Sequence, residues 1–91
     1  MITVDAVRSR VRNSFETIVA DLVDLVAIPS VSASSHDQSQ VARSAEHVAG
    51  LLRKTGLEAR VLSAPGPDGA PGRPAVLAHA DGLAGAPHVL L

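Results

Sequence analysis

Apolar positions at the start of the chain recur at steps of three and four: Val4, Val7, Val11, Phe15, Ile18, Leu22 and Leu25. That spacing draws one apolar stripe along a helix. Arg8, Arg12, Glu16, Asp21 and Asp24 fall between these positions and keep the other faces polar. Thr3 or Asp5 can accept the first free amides as an N-cap. Pro29 ends the pattern, because it lacks an amide hydrogen and pushes Ile28 away from helical angles. The stripe therefore predicts a helix over residues 5–27.

A polar, small-residue loop follows at 30–37 (SVSASSHD), and Asp37 or Ser35 is placed to cap a second helix over 37–55. Its stripe is Val41, Ala45, Val48 and Leu52, widened by Leu51. Arg53 and Lys54 suit the carbonyl end of the helix dipole, and Gly56 suits the position just past the end. The period then changes from 3.6 to 2. Residues 58–64 (EARVLSA) predict a strand with Ala59, Val61 and Ser63 on one face and Arg60 and Leu62 on the other. PGPDGAPGRP at 65–74 reads as a turn-rich, mobile linker. A second strand is expected at 75–80, a hairpin connection at 81–87 around Asp81-Gly82, and a third strand at 88–91. An apolar, β-prone run ending at Leu91 leads to the expectation that a longer chain has been cut there.

Composition narrows the chemistry. Ninety-one residues fit one small domain. No cysteine is present, so neither a disulfide framework nor a thiolate metal site is available. Eight basic residues against nine acidic ones give no footprint for nucleic acid or anionic membrane. Phe15 is the one aromatic residue, which all but removes stacking on single-stranded bases. Leu, Ile, Val and Phe supply 26 residues, enough to argue against disorder. The N-terminus lacks a basic region followed by an apolar stretch, so no signal peptide is predicted and the expected location is the cytoplasm.

The order of these elements resembles the amino-terminal segment of M20-family metallopeptidases, in particular the carnosinase-like dipeptidase branch. The matching stretches are LVDLVAIPSVSA (22–33), VARSAEHVAGLLRKTGLEARVL (41–62) and PAVLAHADGLAGAPHVLL (74–91). The most specific piece is Ala27-Ile28-Pro29-Ser30-Val31-Ser32 at its distance from the second helix. The resemblance implies an α/β fold, with two N-terminal helices packed on the start of a mixed sheet, as part of a zinc-peptidase-like catalytic domain. It implies hydrolysis of a peptide or amide bond by two zinc ions, with a glutamate as general base on a bridging water. It further implies that the partners are the remainder of the catalytic domain and a peptide substrate. The family's dimerisation insert would lie downstream, and the parent enzyme is open to being a homodimer.

In that family the metal ligands begin with a His-x-Asp-Val-x-Pro phrase shortly after a Val-Leu-Leu strand. Here Val89-Leu90-Leu91 is reached first, so no catalytic residue, cofactor-binding residue or metal ligand is carried over. The 91 residues alone are expected to be inactive. His79-Ala80-Asp81 imitates the phrase, and alternate side chains on a strand share a face. Gly82-Leu83 follows in place of Val-x-Pro, however, and the turn reading of Asp81-Gly82 is preferred. His36, His47, His79 and His88 lack the i, i+4 spacing of a helical zinc pair. Ser30, Ser32, Ser34 and Ser35 lack a Gly-x-Ser-x-Gly elbow. Gly66, Gly69 and Gly72 are interleaved with prolines whose missing amides rule out a phosphate cradle. The alternative to the peptidase segment is a small non-enzymatic ααβββ interaction module.

Overall fold

A computed structural model describes residues 2–91. It contains two helices and one hairpin: α1 (Val4–Val26), α2 (Gln38–Lys54), β1 (Glu58–Leu62) and β2 (Ala75–His79). The class is mixed α and β, and the two strands form one antiparallel sheet. Both helices begin where capping chemistry puts them. The Thr3 hydroxyl accepts from the Ala6 amide at 3.1 Å, and the Asp37 carboxylate accepts from the Ser39 amide at 3.0 Å. Helix α2 closes on the expected glycine, since Gly56 takes φ +92° and donates to the Arg53 carbonyl at 3.0 Å.

The core lies between α2 and the hairpin. Among the described residues Ile28, Ala45 and Ala49 are buried, and Ala49 is fully enclosed. Along the strands the inner positions Ala59, Val61, Val76 and Ala78 are half-buried, and Arg60, Leu62, Leu77 and His79 are exposed. Small residues meet small residues here, so the helix can lie close to the sheet. Arg53 fastens the two layers by donating from Nε and Nη2 to the Ala59 carbonyl at 3.0 and 2.9 Å.

The hairpin pairs Glu58 with His79 and Leu62 with Ala75 across the stretch read from sequence as a mobile linker. That stretch is instead closed by its own bonds. The Gly66 amide donates to the Ala70 carbonyl at 2.7 Å, the Gly72 amide to the Ala64 carbonyl at 2.7 Å, and the Ser63 hydroxyl to the Gly72 carbonyl at 2.7 Å. Prolines 65 and 71 sit opposite each other in an isolated bridge, where their missing amides leave no gap in a longer ladder.

Three further expectations differ from the structure. Residues 88–91 pair with nothing: a strand needs a neighbour to bond, and apolar β-branched composition supplies none by itself. Asp81-Gly82 turns no hairpin. The turn falls at Leu83–Ala86, where the Ala86 amide donates to the Leu83 carbonyl at 3.0 Å and Gly85 takes φ +79°. Finally, α1 touches α2 but neither strand, so one helix rather than two packs on the sheet. No residue of α1 is buried. Val7, Val11, Phe15 and Leu22 of its apolar stripe are each at least half exposed.

Candidate functional site

The irregular segment Ile28–Ser32 leads from α1 toward α2. It follows α1, and Pro29 has already removed one amide from the helical ladder. The chain then reverses through two successive three-residue turns, with the Ser30 amide on the Ile28 carbonyl at 2.7 Å and the Val31 amide on the Pro29 carbonyl at 3.0 Å. Ile28 turns inward and keeps 5% of its surface exposed. The loop is held from two sides. Arg73, just before β2, donates from Nη2 to the Ser32 carbonyl at 2.8 Å. Gln38, the first residue of α2, aims Nε2 at the carbonyls of Ala33 (2.8 Å), His36 (3.0 Å) and Val31 (3.4 Å).

Gln38 and Arg73 escaped the sequence reading. A glutamine at a helix start and an arginine in a proline-glycine stretch carry no periodic signal. A trace was present even so: a small polar loop without internal donors leaves its carbonyls in need of a long side chain with several.

His79 and Asp81 stand at the end of β2. Their Nε2 and Oδ1 atoms are 3.4 Å apart, and both side chains are well exposed. Such a pair contributes little to stability, because water screens it. Glu58 is the cross-strand partner of His79, and it lines with Ala59, Arg60 and Leu77 a depression of about 290 Å³. Among the described residues no group of three or more His, Asp or Glu side chains converges to hold a metal ion. Zinc chemistry needs three protein ligands and an open position, or four ligands in a structural site. Two donors on an exposed strand end do not fit the two-zinc centre that the resemblance implies.

The other histidines stay apart. His36 and His88 are exposed, on opposite sides of the hairpin in sequence. His47 is half-buried on α2, and its Nε2 meets no partner, as does Oε1 of Gln38. Bonds from the Ser39 hydroxyl and amide hold the Asp37 carboxyl below the usual aspartate range. Its role is therefore to cap α2. No helix among the described residues is long and apolar enough to cross a membrane.

Comparison with protein-family models finds none that matches the chain. Neither the curated proteins nor the solved structures contain a significant match to it.

Proposed function

We propose that this chain is the amino-terminal segment of an M20-like, zinc-dependent dipeptidase or related amidohydrolase, serving there as scaffold. The observation that carries this reading is the Ile28–Ser32 phrase. It stands between the two helices as the resembled segment requires, with Ile28 buried and Ser32 tied to the hairpin by Arg73. In this reading α2 and the β1–β2 hairpin begin the catalytic sheet, and the zinc ligands belong to residues beyond Leu91. On this reading no catalytic step is assigned to the residues of this chain.

Reading the gene past the codon for Leu91 tests the proposal. A His-x-Asp-Val-x-Pro phrase shortly downstream in frame is the expected result. A stop codon, or a continuation without that phrase, overturns it.

A further inference from the structure

We infer that α1 is a self-association surface, and that its occupant is α1 of a second copy of this chain, running antiparallel about a two-fold axis at Phe15. Three observations carry this, and none depends on the peptidase reading.

The first is the period of the stripe. Val4, Val7 and Val11 are repeated eleven residues later as Phe15, Ile18 and Leu22, and Val26 begins the series again. An eleven-residue repeat corresponds to 3.67 residues per turn, so the stripe stays nearly in line along a straight helix. All seven of these side chains are exposed. The face touching α2 lies to one side of the stripe and involves the half-buried Ser14, Asp21 and Leu25. Phe15 is the midpoint of Val4–Val26. An antiparallel copy centred there sets Val4 beside Val26, Val7 beside Val23, and Val11 beside Val19, and lays Ile18 and Leu22 along the methylene stems of Arg12 and Arg8, twice over by symmetry.

The second is charge. Residues 4–14 of α1 carry Arg8, Arg10 and Arg12 against Asp5, and residues 15–26 carry Glu16, Asp21 and Asp24 with no base. Within one helix this order opposes the macrodipole, because the last turn holds Asp24 and no cation. The order has no favourable partner inside the chain beyond Arg8 and Asp5, which are 3.6 Å apart. Against an antiparallel copy it becomes complementary: the basic half lies along the acidic half, and Arg12 faces Glu16 beside the axis. A parallel copy would set like charges side by side. The acidic half likewise argues against an anionic lipid surface.

The third is area. The chain as a whole exposes 7691 Å², about 2,700 Å² more than a compact chain of its mass, and a stable dimer covers about 800 Å² on each partner. Helix α1 is about 34 Å long and is packed on one side at most.

The test uses the full 91-residue chain in sedimentation velocity and disulfide trapping. A dimer is expected at micromolar concentration. Phe15→Asp should weaken it at least a hundredfold with helicity by circular dichroism retained. Arg12→Glu should weaken it at least tenfold, and Arg12→Glu with Glu16→Arg should restore it. Because the chain has no cysteine, single cysteines report direction. Val4→Cys mixed with Val26→Cys should give the mixed disulfide in preference to either self-linked product. A monomer at high micromolar concentration, preferential Val4→Cys self-linkage, larger aggregates, or a monomer that binds phosphatidylserine vesicles each overturn the inference. None of these results bears on the downstream codons that decide the peptidase reading.

Discussion

Single side chains organise the loop between the helices. Gln38 turns its two Nε2 hydrogens toward three carbonyls, and a carboxylate cannot donate at all. Gln38→Glu should therefore destabilise the chain by about 1 kcal/mol, read as a lower thermal midpoint of the helical signal, with Gln38→Ala losing less. Asp37 sets a pH dependence of known sign. Its folded-state carboxyl is held below its unfolded value by Ser39, so its contribution is complete above the ordinary aspartate range. That contribution is lost as pH falls through the lowered folded value. Helicity measured against pH should drop in that acid window, and Asp37→Asn, which still caps, should flatten this part of the profile. The Asp37 cap was legible in the sequence because capping involves neighbours in the chain. The Gln38 and Arg73 clamps were not, because their acceptors are carbonyls that every residue possesses.

Elements divide in the same way. The helices and the period-2 alternation of β1 and β2 could be read directly, since 3.6- and 2-residue periods mark which face is dry. Which strand pairs with which could not. The hairpin closes through Ser63 and Ala64, which the alternation had assigned to the strand that ends at Leu62, and through Gly72, across prolines that look like a linker. The apolar run at 88–91 had the composition of a strand but no neighbour. Two glycine substitutions separate these environments. A Cβ at Gly72 would lie 2.5 Å from the Ala64 carbonyl oxygen, so Gly72→Ala should cost about 1–3 kcal/mol. Gly50 in α2 has open space around its Cβ position, and Gly50→Ala should stabilise by about 1 kcal/mol. Thermal melts of both variants, followed by helicity, give opposite shifts on this account.

At the scale of the whole molecule, the chain is extended. Its radius of gyration is 16.7 Å and its extents are 50 × 34 × 16 Å, against about 12 Å expected for a compact chain of this length. The candidate site reads differently at this scale too. The His79–Asp81 imitation of a metal phrase was visible in sequence, and among the described residues no third His, Asp or Glu converges on it. A chain that buries so little has a shallow response to denaturant, because the slope follows the surface exposed on unfolding. Phe15→Asp should unfold in urea with a slope of about 1 kcal/mol/M or less and a midpoint independent of protein concentration. The unaltered chain should show a steeper transition whose midpoint rises with concentration.

The bond from Arg73 to the Ser32 carbonyl spans 41 positions and bears on the order of folding. Helix α2 and the hairpin are neighbours in sequence and can assemble with little loop to close, whereas this clasp must wait for both. The Ile28–Ser32 loop then settles after the hairpin and opens before it. Its amides should exchange with deuterium well before those of β1, and Arg73→Lys, which cannot present the same planar fork, should hasten that exchange without altering exchange in the hairpin ladder.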